Sequence, residues 1–271
     1  VYSLHHLETG QVVSAVHMDQ VKEIVVIKFG SGILTRPDGM ALDANQIESL
    51  ISAVAGIYQS GKQPIIVSSG AAAAGMMEFG FEKRPEDLST LQACCAVGQT
   101  RLMQLYSQIL QRFELNVAQL LLANEDFSTP GRRENVMNTI TKLISLGGVI
   151  PVINENDSVA VEELKFGDND TLSAQLACLV KASLLILLTG VDGLKDNEGV
   201  IVSEVESIDD VTCHVRPDTG KFSVGGMATK LEAARVATAA GIPAIIANGN
   251  NPGQMQDLID GSGTGTRIHC N

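Results

Sequence analysis

The chain has 271 residues, 45 % of them hydrophobic but only 4 % aromatic, with no tryptophan. That is enough for one large α/β domain with an aliphatic core, and no uncharged apolar run approaches the roughly 20 residues needed to cross a membrane. A net charge of −12 leaves no basic face for a nucleic-acid backbone, so neither nucleic acid nor membrane is an expected partner, while a small anion held by local positive charge is not excluded.

Residues 1–17 contain no Met, hold three of the five His and are followed by Met18. They read as a vector-derived tail, with the domain beginning at Met18. Ile24–Phe29 is a nearly continuous apolar run and reads as a strand buried on both faces. Lys28 interrupts it. A lysine there is costly to bury unless it meets an anion. Gly30-Ser31-Gly32, directly after, offers backbone N–H groups as an anion nest. A snorkelling lysine before a tight turn is the plainer alternative.

Asp43 reads as a helix N-cap with Gln46 as its capping-box partner. Ile47, Leu50, Ile51, Val54 and Ile57 follow at helical spacing, and Gly61 ends the helix. The next strand, Pro64–Ser68, runs into Ser68-Ser69-Gly70-Ala71 and an alanine-rich stretch through Gly75. Such a strand-to-helix turn presents N–H groups to an anionic substrate group, although the serines fit plain N-caps equally well. The alanines let another backbone pack closely. Leu88 to Phe113 is a long helical region with Gly98 as a candidate break. Cys94 and Cys95 fall within it as core residues.

Val117–Leu122 and Val149–Ile153 are further strands. Between them, Glu125 to Asn135 reads as a polar loop centred on Thr129-Pro130-Gly131, able to move for a ligand. Asn135 to Leu146 reads as a helix stopped at Gly147-Gly148. After Ile153 comes Asn154-Glu155-Asn156-Asp157, and then a second cluster, Gly167-Asp168-Asn169-Asp170. So many carboxylates and amides at a buried strand end cost desolvation unless a ligand uses them. They suit an ammonium group, or a metal-bound phosphate. Two Asx-rich turns are the alternative.

Helix Thr171 to Ala182, strand Leu184–Leu188, helix Thr229 to Ala240 and strand Ala244–Ala247 complete the pattern. Val224-Gly225-Gly226-Met227-Ala228-Thr229-Lys230 opens the last helix. Glycines before a helix N-terminus and a lysine in the first turn suit a phosphate, because that lysine opposes the helix dipole when no anion is near. Strand–helix alternation predicts an α/β fold, a mostly parallel sheet with helices on both faces. Five strand exits are polar or glycine-rich, the last two being Thr189-Gly190 and Asn248-Gly249-Asn250. Ligands of open α/β sheets sit beyond such carboxyl ends.

Other readings fail. Gly56 to Gln63 approaches a Walker loop but lacks its Ser/Thr and follows a helix. Gly261 to Gly265 has no helix after it. The five cysteines, Cys94, Cys95, Cys178, Cys213 and Cys270, are odd in number and form no C-x-x-C, so neither a zinc site nor a disulfide framework is expected. Free thiols suit a reducing cytoplasm. His214 and His269 join no defensible Ser-His-Asp order. Two lysines, glycine loops and carboxylates without a nucleophile fit phosphoryl transfer, where positioning and charge neutralisation dominate.

Val26-Ile-Lys28-Phe-Gly30-Ser-Gly32, Val67-Ser-Ser69-Gly-Ala71, Ala96-Val-Gly98-Gln99, Pro151-Val-Ile-Asn154-Glu-Asn-Asp157, Phe166-Gly-Asp168-Asn-Asp170 and Gly225-Gly-Met-Ala-Thr-Lys230 together resemble the amino-acid kinase family. Within it they resemble the glutamate 5-kinases, in the form without a C-terminal PUA domain. The resemblance spans Ile24 to Thr266. It implies a three-layer αβα sandwich of about eight mainly parallel strands. It implies a glutamate-binding N-terminal lobe, about 18–175, and a nucleotide-binding C-terminal lobe, about 176–271. The implied reaction is ATP-dependent phosphorylation of the glutamate side-chain carboxylate with Mg²⁺, the first step towards proline.

By the same resemblance Lys28 and Lys230 stabilise the transferring phosphoryl group and Asp170 orients them. Ser69, Gly70, Ala71, Asn154, Asp157 and Asn169 bind glutamate. Lys28, Gly30, Ser31, Thr189, Gly190 and the run Val224, Gly225, Gly226, Met227, Ala228, Thr229, Lys230 hold the nucleotide, and no protein ligand to metal is implied. A cytoplasmic homo-oligomer is expected, inhibited by proline and passing its product to glutamate-5-semialdehyde dehydrogenase. Two departures touch the nucleotide contacts. The family usually has Thr-Asp where this chain has Thr189-Gly190, with Asp192 two residues on, and Gly-Thr where it has Ser223-Val224. Another carboxylate kinase of the family, or a non-catalytic amino-acid or nucleotide-binding module on this fold, are the rival readings.

Overall fold

In the computed structural model the described residues are 22–159, 169–211 and 226–270. The expectations for residues 1–17, and those for Gly167, Asp168, Cys213, His214, Val224 and Gly225, fall outside them.

β1 (Ile24–Phe29) lies mid-sheet because both its faces find apolar cover. Val25, Ile27 and Phe29 enter one core and Val26 enters the other, the period of two that a pleated strand imposes. β2 (Gln63–Ser68), β3 (Asn116–Leu122), β4 (Val149–Glu155), β5 (Leu184–Thr189), β6 (Glu204–Val205), β7 (Ala244–Asn248) and β8 (Gly265–Ile268) complete one eight-stranded sheet. Its order is β3-β4-β2-β1-β5-β7-β8-β6, and only β7–β8 is antiparallel. The sequence pattern misses β6 and β8 because they are short and carry charged residues.

α2 (Ala44–Gln59) and α4 (Leu88–Gln111) cover one face, bringing Ile47, Leu50, Ile51, Leu102 and Tyr106 against Val25 and Ile27. α6 (Pro130–Leu146), α7 (Asn169–Val180) and α9 (Met227–Ala239) cover the other with Ile140, Leu172, Leu176, Leu231 and Ala234. Short helices α1 (Ser31–Leu34), α5 (Glu125–Ser128), α8 (Ile208–Val211) and α10 (Met255–Asp260) lie in the connections, as does the nine-residue α3 (Ala71–Phe79). The result is the expected three-layer αβα sandwich. No helix of the described residues is long and apolar enough to cross a membrane.

Four local expectations change. Asp43 caps α2 by accepting from the Gln46 backbone N–H at 3.1 Å, but the capping box does not close. The Asp43 N–H already donates to Leu34 O at 2.9 Å, so the Gln46 side chain donates to Gly249 O at 2.6 Å instead. α4 runs unbroken through Gly98. A Cβ there would lie 1.8 Å from Ala71 O, and one at Gly75 would lie 1.8 Å from Cys94 O. The two glycines therefore let α3 and α4 cross in backbone contact. Asn154 and Glu155 belong to β4 rather than to a following turn, because they pair with Leu121 and Leu122 of β3. Glu125 to Asn135 is not a loop. Asp126 accepts from the Ala123 N–H at 2.8 Å and pairs with Arg132 at 3.1 Å, and Pro130 starts α6, where a missing N–H costs nothing.

The sheet order decides where chemistry can occur. β4, β2, β1, β5 and β7 are adjacent and parallel, so all five polar exits lie side by side along one edge.

Candidate active site

Lys28 projects from β1 on the Val26 face, towards α7 and α9. Its ammonium lies 2.5 Å from Asp170 Oδ1. Lys230, in α9, lies 3.2 Å from Asp170 Oδ2. The Thr229 hydroxyl is 2.7 Å from the same oxygen and 2.9 Å from Gly226 O. Lys28 and Lys230 are each 4 % exposed and Asp170 is 1 % exposed, which rules out a snorkelling Lys28. Burial pushes the Asp170 carboxyl up, but the two ammonium groups and the Thr229 hydroxyl outweigh it and hold the carboxyl below its ordinary range. Two buried cations share one carboxylate. Two ammonium groups held together in a desolvated site suit a bound anion.

Around this triad the backbone is open. Gly30 N donates to Leu188 O at 3.3 Å at the β1 exit, and a Cβ on Gly30 would stand 3.6 Å from the Lys28 ammonium. Gly30 and Ser31 open α1, while Gly226 precedes α9 with no side-chain cap. Met227, Ala228, Thr229 and Lys230 form the first turn of α9. Thr189 ends β5 opposite Asn248 of β7. Gly190 is exposed, but Asp192 returns to this edge and accepts from Asn248 Nδ2 at 2.7 Å. A carboxylate is thus kept near the β5 and β7 exits despite the glycine.

On the other side of β1, Gly70 takes φ +97° before α3, and no side chain caps the helix. The serines are therefore not N-caps. The Ser68 hydroxyl lies 2.9 Å from Tyr106 OH and donates to Ser69 O at 3.0 Å. Ser69 Oγ instead accepts from Asn169 Nδ2 at 3.0 Å. The same Nδ2 lies 3.0 Å from Ser68 O and 3.1 Å from Asn154 Oδ1. Asn169 Oδ1 is buried and without a hydrogen-bond partner among the described residues. The N–H groups at the start of α3, Ala71 among them, flank this amide cluster. Asp157 lies half-buried in the turn after β4, beside Cys95 of α4. Burial, then the charge of Asp157 and a hydrogen bond to it, push the Cys95 thiol up.

The structure brings Lys28, Asp170 and Lys230 together, and separately Ser69, Asn154 and Asn169. Tyr106 and Gln99 join the second group unassigned by the sequence. Gln99 sits within a motif, yet an isolated glutamine in an amphipathic helix gives no sign of its partner. Its Oε1 accepts from Asn154 Nδ2 at 2.8 Å. No group of three or more His, Cys, Asp or Glu placed to hold a metal occurs among the described residues.

The amino acid kinase family matches residues 23–248. Glutamate 5-kinase of Clostridium acetobutylicum is 40 % identical over 249 residues, covering 89 % of this chain and 92 % of that protein. Glutamate 5-kinase of Thermus thermophilus is 42 % identical over 252 residues, covering 91 % of this chain and 67 % of that one. Among solved structures, carbamate kinase from Giardia lamblia bound to AMP-PNP superposes with a TM-score of 0.61 at 17 % identity, covering 92 % of this chain and 99 % of that one, a likeness of fold. With its sheet order, its buried lysine–aspartate triad and identity of this extent, the chain belongs to the amino acid kinase family and, within it, to the glutamate 5-kinases.

Proposed function

We propose that the chain transfers the γ-phosphoryl group of ATP to the side-chain carboxylate of glutamate. One observation carries the reading. Lys28 and Lys230 converge on Asp170, all three side chains buried, beside the glycine-bearing exit of β1 and the start of α9. Charge on a transferring phosphoryl group is what such a site would neutralise. Asp170 holds the two ammonium groups in place and does not touch the reacting atoms.

Nucleotide binding fits the β1, β5 and β7 side. Gly30 leaves the Lys28 ammonium uncovered by a Cβ, and the start of α9 at Gly226, without a side-chain cap, favours an anion. Thr189, Gly190, Ser31 and the first turn of α9 line this side. Mg²⁺ suits a site of this kind through the phosphate oxygens of the nucleotide rather than a protein cage. When bound it would add positive charge at those oxygens.

Glutamate fits the β2 and β4 side. The N–H groups at Gly70 and Ala71 suit its α-carboxylate. Asp157 and Asn169 Oδ1 suit its ammonium, and Asn154 and Ser69 hold Asn169 in place. The side-chain carboxylate then reaches towards Lys28. A carboxylate oxygen attacks the γ-phosphorus, the bond to the β–γ bridging oxygen breaks, and ADP leaves with that electron pair. No general base is required, since a glutamate carboxylate is already ionised near neutral pH.

We place the lobe boundary near residue 175, between these two halves. A cytoplasmic homo-oligomer, proline as inhibitor and delivery of the acyl phosphate to a dehydrogenase are part of the same proposal. ADP release measured with glutamate, aspartate and acetylglutamate side by side tests the substrate. Preference for glutamate supports it; equal rates with aspartate, or no dependence on any acid, reject it.

A further inference from the structure

We propose that Gln99 is a positioning residue for the amino-acid half of the site, anchoring Asn154 and through it holding Asn169 in the orientation that leaves its amide oxygen for the substrate. The inference rests on the glutamate reading above.

A carboxamide can present either an oxygen or an NH₂, and only the oxygen serves an ammonium group. Its partners decide which. The chain of bonds here starts from a group that cannot reverse. The Glu155 backbone N–H donates to Asn154 Oδ1 at 2.9 Å. That fixes Asn154 Nδ2 on the opposite side, where Gln99 Oε1 accepts from it at 2.8 Å. Gln99 Nε2 in turn donates to Gln119 Oε1 at 3.0 Å, on the edge strand β3. With its oxygen held, Asn154 accepts from Asn169 Nδ2 at 3.1 Å. Ser68 O, a second group that cannot reverse, takes the same Nδ2 at 3.0 Å. Asn169 Oδ1 is therefore the leftover atom, buried and without a hydrogen-bond partner among the described residues. A buried unpaired acceptor is unfavourable until a donor arrives. An ammonium is such a donor.

Gln99 is well placed to hold this sense. It is 8 % exposed, and Asn154 is 2 % exposed, so bulk water does not replace the bond between them. Gln99 follows Gly98, whose missing Cβ lets α4 touch Ala71 O at the start of α3. One turn earlier, Cys95 lies against Asp157. A single rigid face of α4 thus supports Asn154, Asp157 and the Gly70-Ala71 turn together. If Gln99 merely filled space, removing its oxygen would lower stability and leave substrate affinity alone.

Steady-state kinetics with glutamate and ATP varied separately, plus thermal melts, on Gln99→Met, Gln99→Glu and Gln119→Leu would decide. Gln99→Met removes the acceptor. It should raise the glutamate KM ~10-fold, about the loss of one hydrogen bond's worth of orientation. The ATP KM should stay within about twofold and kcat within about threefold on the same scale. Gln99→Glu keeps an acceptor for Asn154, while Gln119 can turn its amide to donate. It should restore the glutamate KM to within about threefold of the parent. Gln119→Leu acts at the exposed far end and should raise the glutamate KM about threefold with a normal melt. An unchanged glutamate KM in Gln99→Met, or an equal rise for ATP, overturns the proposal. If Gln99→Met does not fold, Gln119→Leu decides, a rise supporting the relay and no change overturning it. A parent protein with no glutamate-dependent turnover rejects the glutamate reading itself, a different result from an active parent whose variants are indifferent.

Discussion

Asn169 and Asp170 are consecutive residues at the start of α7, yet they serve two different clusters. The Asn169 amide reaches Ser69 and Asn154, and the Asp170 carboxylate holds Lys28 and Lys230. On the proposed function, one peptide bond would therefore couple the amino-acid half of the site to its phosphoryl half. That would set the spacing of the two clusters on a helix rather than across a loop, as positioning catalysis requires.

Lys28→Ala and Lys230→Ala should each lower kcat far more than they raise the glutamate KM. Loss of one donor to developing charge typically costs ~10²–10³ in rate. Purified, folded variants assayed at saturating ATP and glutamate give the answer. A near-normal kcat in either would remove that lysine from the phosphoryl site.

Asp170→Asn tests the triad through stability. Its folded carboxyl lies below the ordinary range, held there by Lys28 and Lys230 against the opposing effect of burial. Its contribution is therefore fully present above the unfolded pKa of about 3.9 and is lost as pH falls through the lower folded value. Removing one partner of a buried ion pair costs about 3–5 kcal/mol. Denaturant melts of parent and variant should differ by that order from pH 7 down to about 5 and converge below about pH 4. A gap that widens on acidification would contradict the assignment.

Asp157→Asn should weaken glutamate binding and leave ATP affinity nearly unchanged, because a bound ammonium in a partly desolvated site needs a counter-charge. Calorimetric titration with each ligand separates the two. Equal losses for both would place Asp157 outside the glutamate pocket.

Most of the sheet was legible in the sequence because its parallel strands are continuous runs of Val, Ile and Leu. β6 and β8 were not, since Glu204–Val205 is two residues long and Gly265–Ile268 carries Arg267. Lys28 was legible as a charge in the wrong place for a core strand. The use of Gly98 was not, because a glycine that would break an isolated helix is indistinguishable in sequence from one that admits a neighbour's backbone. Pro130 misled in the same way, since only the cap of α6 shows it to be a helix start. The amide relay lay beyond reach because its members are spread from Gln99 to Asn169 and meet only when β4 packs under α4.

Proline should compete with glutamate for one pocket, since both carry an α-carboxylate beside a cationic nitrogen. Glu125 to Asn135, helical rather than a free loop, does not need to move for this. Linkage requires each ligand to weaken the other, so glutamate titration should raise the apparent proline constant in proportion to occupancy. Proline binding that is blind to saturating glutamate would show two separate sites.

The most direct test is chemical capture of the product. Purified protein with ATP, Mg²⁺ and hydroxylamine should form γ-glutamyl hydroxamate only when glutamate is present, in step with ADP release. ADP formation indifferent to glutamate, or glutamate-dependent ADP release without hydroxamate, would contradict transfer to the side-chain carboxylate.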